Sequence, residues 1–209
     1  QRQMCIRDRR QPTQRGTSAV TDFRLESLTK FLEQLAARSP APGGGASAGV
    51  TVALAAAQAE MVVAWTKPEL PEAIDHLRQV RAQAMDLAIR DAEAYRRWSE
   101  LQKERPEGDP ELQSATKDIL QIPEALATLS LELLRECVRL APKTNPRLGS
   151  DLGIAGQLAA AGVPSAAWNT KANLHLVHSE DRAGVQQIMA QQEREAQSLL
   201  AQLNDFLST

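Results

Sequence analysis

Residues 43–65 read GGGASAGVTVALAAAQAEMVVAW, and this stretch decides the fold. From residue 46 to residue 65 nearly every position is apolar, and alanine supplies most of the side chains. A helix that is apolar on nearly every face must be surrounded by other helices, because water solvates none of its sides well. Gln58 and Glu60 interrupt the run, which argues against a membrane span. The stretch therefore predicts a buried central helix.

Other periodic stretches predict helices around this one. Apolar residues at helical spacing predict a first helix over residues 23–37, with Thr21 or Asp22 as its N-cap. Pro71 begins a long helix that is expected to end near residue 100. β-branched residues are scattered and no stretch alternates between apolar and polar residues, so no strand is expected. The sequence predicts an all-α fold, a single-domain bundle of about six helices.

The second half of the chain predicts three more helices. Leucine and isoleucine at heptad-like spacing over residues 119–140 predict a helix that is kinked at Pro123. A helix rich in small residues follows, with Ser150 as its N-cap and an interruption at residues 162–164. Ser179 is expected to cap the last helix.

Composition and charge disfavour several classes of function. The chain has 209 residues and a formal net charge of −2, and its first nineteen residues hold five of the arginines. The rest carries 19 basic and 25 acidic side chains, and this net charge of −6 disfavours nucleic-acid binding. Cys137 is the only cysteine outside the first nineteen residues, so no disulfide framework or zinc cluster is expected. We expect a cytoplasmic protein with no nucleic-acid or membrane partner.

Residues 1–19 differ from the rest of the chain and are expected to be a non-native or disordered tail. They show no apolar periodicity and no apolar segment of a signal peptide. Their run QMCIRDR resembles translated sequencing-adapter read-through. We therefore place the helical domain at residues 20–209, and both a native start near Val20 and a lost upstream domain stay open.

Residues 45–49, GASAG, match the G-x-S-x-G pattern of a serine nucleophile. Such a serine stands between a strand and a helix, whereas Pro40 and Pro42 precede this one and prevent a buried strand. We therefore interpret Ser47 as a small residue in the first turn of a helix, and not as a nucleophile.

Gly43, Gly44 and Gly45 leave two interpretations open. Three glycines before a helix permit positive φ and let the backbone approach a ligand closely, and the free N–H groups of a helix start bind anions. The alternative is a tight helix entry that lets the alanine-rich helix pack closely against a neighbour.

Two aspartates are candidate catalytic residues. Asp91 lies in a helical seam of otherwise apolar and aromatic residues, where an unpaired carboxylate is costly. It must therefore be hydrogen-bonded, protonated or paired, and an ion pair with an arginine of a neighbouring helix is the structural alternative. Asp151 lies in the first turn of its helix, where it either stabilises the helix N-terminus or belongs to a site.

Asn169 and Asn173 lie one turn apart on one helix face and need polar partners if they are buried. Asp151 and Asn169 have nearly the same azimuth, because eighteen residues make five turns, but they lie about 27 Å apart on a straight helix. They cannot both contact one reacting centre within a single chain. Either one of them lies outside the site, or a second subunit completes it. His175 and His178 have no obvious third ligand, and no metal site is expected.

Several separated stretches agree on one family. FLEQLAARSPAPGGGASAG, AIRDAEAYRRW, NPRLGSDLGIAGQLAAA and WNTKANL resemble, in order and spacing, the C-terminal domain of the formiminotransferase-cyclodeaminases and the related stand-alone methenyltetrahydrofolate cyclohydrolases. The resemblance covers about residues 23–207. It implies an all-helical homodimer or larger homo-oligomer with sites near subunit contacts. It also implies a tetrahydrofolate derivative as the substrate, with no permanently bound cofactor.

The family acts on the one-carbon bridge between N5 and N10 of tetrahydrofolate. A cyclohydrolase opens the 5,10-methenyl form with water to give 10-formyltetrahydrofolate. A cyclodeaminase closes the 5-formimidoyl form with loss of ammonia. Because no transferase domain is visible in this sequence, the resemblance favours the cyclohydrolase. The cyclodeaminase and a non-catalytic helical assembly module are the alternatives.

The resemblance implies a role for each candidate residue. A carboxylate would stabilise the cationic methenyl bridge, and it moves protons at neutral pH if burial raises its pKa. Asp151, in the family's Ser-Asp motif, is the first choice for this role, and Asp91 is the second. The candidates for substrate binding are Gly43, Gly44 and Gly45, which would hold the carboxylates of the folate tail, together with Lys67, Asn145, Ser150, Asn169 and Asn173.

Two features depart from the family pattern. The aromatic residue that many members have shortly after a Gly-Lys pair is missing, and only Lys67 corresponds to that stretch. Pro164 lies in a helix that is usually unbroken in relatives. Both departures bear on the substrate of this chain.

Overall fold

Six α-helices form one domain in residues 22–208, which are the residues that the computed structural model of the protein describes. No strand occurs among these residues, so the prediction of an all-α fold of about six helices is confirmed. The expectation for residues 1–19 lies outside the described residues. The helices are α1 (Leu28–Ala36), α2 (Gly44–Ala64), α3 (Pro71–Glu104), α4 (Pro110–Leu140), α5 (Gly149–Asn173) and α6 (Arg182–Leu207).

Helix α2 lies at the centre of the bundle and packs against α3, α4 and α5. Its many alanines let the neighbouring helices approach closely, and Gly49 marks the tightest approach to α3. A Cβ at Gly49 would lie 2.8 Å from the Cβ of Ala88 and 2.9 Å from the carbonyl oxygen of Ala84. By length and composition α2 is apolar enough to cross a membrane, but more than half of it is buried inside this bundle. The prediction of a buried central helix is confirmed.

Helices α4 and α5 form the second tight contact of the core. The Ser130 hydroxyl on α4 donates a hydrogen bond of 2.6 Å to the carbonyl oxygen of Ala159 on α5. A Cβ at Gly162 would lie 2.2 Å from the same hydroxyl oxygen, so only glycine fits there. The expected interruption of α5 at residues 162–164 is wrong. The helix continues through Pro164, and the proline itself is exposed. The helix stays continuous because the turns on either side of Pro164 pack against α2 and α4.

Several helix ends differ from the sequence prediction. Residues 23–25 form a separate 3₁₀ turn, and Ser27, not Asp22, caps α1 by accepting a hydrogen bond from the N–H of Lys30. Ser150 is not an N-cap, because a 3₁₀ turn at Pro146–Leu148 runs directly into α5 and leaves Ser150 within its first turn.

The ends of α3 and α6 also differ. Helix α3 continues four residues beyond the expected end at residue 100, to Glu104. A 3₁₀ turn at Leu174–Leu176 ends the α5 segment, and α6 begins only after Asp181, so Ser179 is not its cap. Pro123 lies within the continuous helix α4.

Candidate active site

A cavity of about 170 Å³ lies at the N-terminal end of α2. It is enclosed by the loop before α2, the start of α2, the middle of α3 and the facing sides of α4 and α5. We call it the Asp91 cavity. Its lining residues are Pro40, Ala41, Gly43, Gly44, Gly45, Asp91, Ala92, Tyr95, Ile119, Asn169, Ala172 and Asn173. Six of the ten predicted site residues are therefore brought together from three helices that are distant in sequence.

The carboxylate of Asp91 occupies the space that a side chain at Gly45 would fill. A Cβ at Gly45 would lie 2.1 Å from Oδ1 and 2.2 Å from Cγ of Asp91, so any larger residue would displace the carboxylate. Among the described residues only Gly108 has a positive φ, and Gly43 has a φ of −133°. The expected use of positive φ at the three glycines is therefore wrong. Instead, Gly45 provides room for the Asp91 carboxylate, and Gly44 provides room for the Asn169 amide.

The electrostatic state of Asp91 follows from this position. Burial raises the pKa of its carboxyl group to about 6, and a backbone hydrogen bond from Ala46 acts in the opposite direction. No cationic side chain of residues 22–208 contributes to this pKa, so the ion pair considered as a structural alternative is not formed. The carboxylate instead faces the start of α2, where the helix dipole favours negative charge. A carboxyl group with a pKa near 6 can both accept and return a proton close to neutral pH.

Two amide side chains from α5 complete the polar part of the cavity. The Asn169 Oδ1 lies 3.1 Å from the position of a Cβ at Gly44, so this amide contacts the first turn of α2. The Asn173 Nδ2 donates a hydrogen bond of 3.3 Å to the carbonyl oxygen of Ile119 on α4. Both side chains are partly buried and one helical turn apart, as the sequence predicts. Their remaining hydrogen-bonding groups are placed at the cavity.

Tyr95 lies one turn after Asp91 on α3 and also lines the cavity. The helical pattern predicts that Tyr95 lies on the buried side of α3, in the seam of apolar and aromatic residues around Asp91. It is 41% exposed instead, because the cavity replaces a packed neighbour at this level of the helix. The sequence signal for Tyr95 was its spacing of four residues from Asp91, which puts both side chains on one face.

The other four predicted site residues lie towards the opposite end of α2. The Gln58 amide on α2 donates a hydrogen bond of 2.8 Å to Oδ1 of Asp151 on α5. Gln58 follows Gly44 by fourteen residues, which is about 21 Å along the helix axis. Asp151 therefore does not reach the Asp91 cavity of its own chain. In the sequence, Gln58 is only a polar residue in an apolar run, although its amide is the group that holds Asp151.

Lys67, Asn145 and Ser150 belong to this same end. Lys67 is exposed and pairs with Glu69, close to the end of α2. The backbone N–H of Asn145 donates to the buried Thr66 hydroxyl at 3.1 Å, and its side-chain oxygen caps the following 3₁₀ turn. Asn145 thus orders its loop. Ser150 is exposed in the first turn of α5, beside Asp151.

The remaining sequence motifs do not form a second site in the described part of the chain. Ser47 lies in the first turn of α2, and no strand of residues 22–208 precedes it, which excludes a nucleophile elbow. The Nδ1 of His175 lies 3.0 Å from the carbonyl oxygen of Ala172. No group of three His, Cys, Asp or Glu side chains within residues 22–208 is placed to hold a metal ion.

Two curated proteins are similar to this chain over most of its length. The methenyltetrahydrofolate cyclohydrolase of Methylorubrum extorquens is 27% identical over 193 residues, which cover 85% of this chain and 90% of that protein. The formimidoyltransferase-cyclodeaminase of Sus scrofa is 29% identical over 197 residues, which cover 86% of this chain but only 36% of that longer protein.

A solved structure and a family profile extend the match. The crystal structure of a formiminotetrahydrofolate cyclodeaminase from Thermotoga maritima superposes with a TM-score of 0.80 at 28% identity, and it covers 88% of this chain and 97% of that one. The profile of the formiminotransferase-cyclodeaminase family matches residues 27–194, most of the chain. The chain therefore belongs to the formiminotransferase-cyclodeaminase family.

Proposed function

We propose that this protein hydrolyses 5,10-methenyltetrahydrofolate to 10-formyltetrahydrofolate, with Asp91 as the catalytic carboxylate. The observation that supports this proposal best is the position of Asp91, which faces the first turn of α2 in a cavity that Asn169 and Asn173 also line. The M. extorquens cyclohydrolase, of which this chain covers 90%, supports the same reaction. The tetrahydrofolate derivative is the substrate, and the proposed reaction uses no bound cofactor.

The chemistry assigns two tasks to Asp91. The ionised carboxylate stabilises the positive charge that N5, the bridge carbon and N10 share. It also takes a proton from the attacking water as the water oxygen bonds to the bridge carbon. When the bond between that carbon and N5 breaks, the same proton passes to N5, and the second water proton leaves to solvent. A pKa of about 6 suits both transfers near neutral pH.

The first turn of α2 has a different task from the one predicted from the sequence. The Asp91 carboxylate already occupies the position that an anion would take at Gly45 and Ala46. We therefore assign Gly45 to the placement of Asp91, Gly44 to the placement of Asn169 and Gly43 to the N-cap of α2, and the carboxylates of the folate tail to another surface. Asn169 and Asn173 remain the groups that would donate to and accept from the pterin edge.

A second copy of the chain would complete the site. Leu54 and Ile154 each lie one turn from the hydrogen-bonded pair formed by Gln58 and Asp151, and both are about half exposed. Trp65 follows Gln58 by seven residues and Trp168 follows Ile154 by fourteen, and both tryptophans are about 70% exposed. This apolar face of α2 and α5 has the composition of a subunit interface.

A two-fold axis perpendicular to this face would place the start of α2 in one copy beside the end of α2 in the other copy. Because a two-fold interface brings residue i of one copy against residue j of the other, the Asp151 end of one protomer would lie against the Asp91 cavity of its partner. We therefore propose a homodimer in which Asp151, Ser150 and Lys67 complete the partner's site. This arrangement resolves the distance of about 27 Å between Asp151 and Asn169 on α5.

The T. maritima structure supports a second candidate, the cyclodeaminase reaction on 5-formimidoyltetrahydrofolate. In that reaction N10 attacks the formimidoyl carbon, and the formimidoyl nitrogen leaves as ammonia after it takes up the N10 proton and then one further proton. Asp91 would supply this proton from its protonated form. Ammonia release distinguishes the two reactions, because methenyl hydrolysis produces none.

The test uses purified protein with each substrate in turn. We expect the near-ultraviolet absorbance of 5,10-methenyltetrahydrofolate to fall faster with protein than with buffer alone, and Asp91→Asn to remove the difference. Asp86→Asn is the matched control, because Asp86 is an exposed aspartate on the same helix, outside the cavity. Loss of activity in both variants, or in neither, would contradict the assignment of Asp91. Ammonia release from the formimidoyl substrate without methenyl hydrolysis would favour the cyclodeaminase.

A further inference from the structure

Tyr95 is a large aromatic side chain at the mouth of the Asp91 cavity. It follows Asp91 by four residues on α3, which places the two side chains about 6 Å apart along the helix axis. Tyr95 is 41% exposed, and the cavity volume of about 170 Å³ is too small to enclose a substituted pterin. A bound pterin must therefore extend past Tyr95.

Trp98 supports the Tyr95 ring from the side of the core. The two ring centroids lie 6.1 Å apart, and the ring planes are tilted by 38°. Trp98 is partly buried and packs against the hydrophobic core, so it limits the movement of its neighbour. An aromatic ring that is held in this way loses little side-chain entropy when a planar group packs on it.

We propose that Tyr95 recognises the substrate by stacking its ring on the planar, positively charged bridge between N5 and N10, while the Asp91 carboxylate lies at the bridge carbon. This inference rests on the proposed function and adds to it the residue that selects the charged form. The negative face of a tyrosine ring attracts a cation, and the carboxylate attracts it from the other side.

The same arrangement explains how product would leave. The bridge is cationic in the methenyl substrate and neutral in the formyl product. The product therefore loses its attraction to both Tyr95 and Asp91 when the reaction is complete. Tyr95 thus discriminates between substrate and product by charge, since the pterin and the tail are the same in both molecules.

The test compares the wild-type protein with Tyr95→Leu and Tyr95→Phe in the methenyl hydrolysis assay. Leucine keeps an apolar side chain but removes the aromatic face, and phenylalanine keeps that face without the hydroxyl group. We expect Tyr95→Leu to raise KM about tenfold, with a change in kcat of less than about threefold. Tyr95→Phe should stay within about twofold of the wild type in both constants. Circular dichroism and thermal unfolding show whether each variant is folded.

A neutral competitor separates charge recognition from general packing. 5-Formyltetrahydrofolate has the same pterin and tail but an open, neutral formyl group in place of the cationic bridge, and its inhibition constant should rise less than about threefold in Tyr95→Leu. An equal rise of KM and of this inhibition constant would overturn the charge recognition, and an unchanged KM would overturn the contact itself.

Binding measurements distinguish the failure of this inference from the failure of the proposed function. Quenching of tryptophan fluorescence reports binding of 5,10-methenyltetrahydrofolate even without turnover. A wild-type protein that binds this compound without turnover, and binds it about tenfold more weakly as Tyr95→Leu, would refute the enzyme but support Tyr95. A wild-type protein that does not bind it would overturn both.

Discussion

The two ends of helix α2 differ in almost every physical respect. At the first end, Gly45 and Gly49 let α3 approach so closely that the Asp91 carboxylate lies where a side chain would be. At the second end, Trp65 is largely exposed, and Asp151 is held by a single amide of Gln58. The first end encloses the Asp91 carboxylate in a cavity, and the second end leaves large apolar side chains exposed.

This difference shows why two aspartates of similar sequence context are not equivalent. Burial raises the pKa of Asp91 to about 6, which is useful for proton transfer. Asp151 lies on the face with the exposed residues Leu54 and Ile154, which our proposal assigns to contact with a second copy of the chain. From the sequence alone, Asp151 ranks first and Asp91 second as the catalytic carboxylate. Our proposal reverses this order, with Asp91 as the catalytic group and Asp151 as a group supplied by the partner.

The largest expected effect is on turnover. Asp91→Asn should lower kcat by about 10²–10⁴, the usual contribution of a general base or acid, because the amide cannot accept the proton. Asp151→Asn should lower kcat by only about tenfold, since it changes a group that acts across the proposed interface. Steady-state kinetics on both variants measure the ratio of their losses in kcat. A larger loss in Asp151→Asn would restore Asp151 as the first candidate.

A glycine-to-alanine series tests the space around Asp91. The nearest side-chain atom to a new Cβ is at 2.1 Å for Gly45, 3.1 Å for Gly44 and 3.6 Å for Gly149 at the start of α5. We expect losses in kcat/KM of about a hundredfold, severalfold and less than twofold, in that order, because only the first substitution must displace the carboxylate. Gly149→Ala is the matched control at the start of a helix. Equal losses at all three positions would show that packing, and not Asp91, is responsible.

The pH dependence of activity follows from the raised pKa of Asp91. As a base, the group must be ionised, so kcat/KM should fall about tenfold per pH unit below pH 6 and level off above it. The spontaneous reaction at each pH is subtracted first. An inflection near pH 4, the ordinary range of an aspartate, would mean that another group is the base.

Mixed dimers test whether the two ends of α2 meet across an interface. If each site uses Asp91 from one protomer and Asp151 from the other, a mixed dimer of Asp91→Asn and Asp151→Asn has one intact site. Random mixing should therefore restore roughly a quarter of the wild-type activity, because half of the dimers are mixed and each has one of two sites complete. The two variants are mixed after mild dissociation, and the hydrolysis assay then measures the restored activity. Activity that stays at the mean of the two variants would place both aspartates in one chain or exclude Asp151.

The smallest effect is on stability. The folded pKa of Asp91 lies above its value of 3.8 in the unfolded chain, so the folded protein binds the proton more tightly and loses stability as pH rises from about 4 to 6. Asp91→Asn cannot ionise and should be more stable than the wild type at pH 7 by about 2 kcal/mol, after allowance for partial exposure. Urea unfolding at pH 4 and pH 7 tests this. A difference that is equal at both values would contradict the link to ionisation.

The number of helices and their approximate positions could be predicted from the sequence, because they depend on the local pattern of apolar residues. The all-round apolar stretch of α2 and the seam around Asp91 are visible in the order of residues alone. Helix ends were less predictable, because Ser27 and Asn145 act as caps only through the 3₁₀ turns beside them. Tyr95 was missed as a cavity residue since its exposure depends on which neighbours fail to pack against it.

The sequence by itself determined that Asp151 and Asn169 lie five turns apart if one unbroken helix joins them, because the rise of a helix is the same in every protein. Only the structure showed that α5 continues through Pro164. The sequence also determined that Asp91 needs a partner, because a carboxylate in an apolar seam must be satisfied. Only the tertiary structure decided that this partner is the start of α2 and not an arginine. The reason is that Gly49 sets how closely α2 and α3 approach, and no local pattern encodes the rotation of one helix against another.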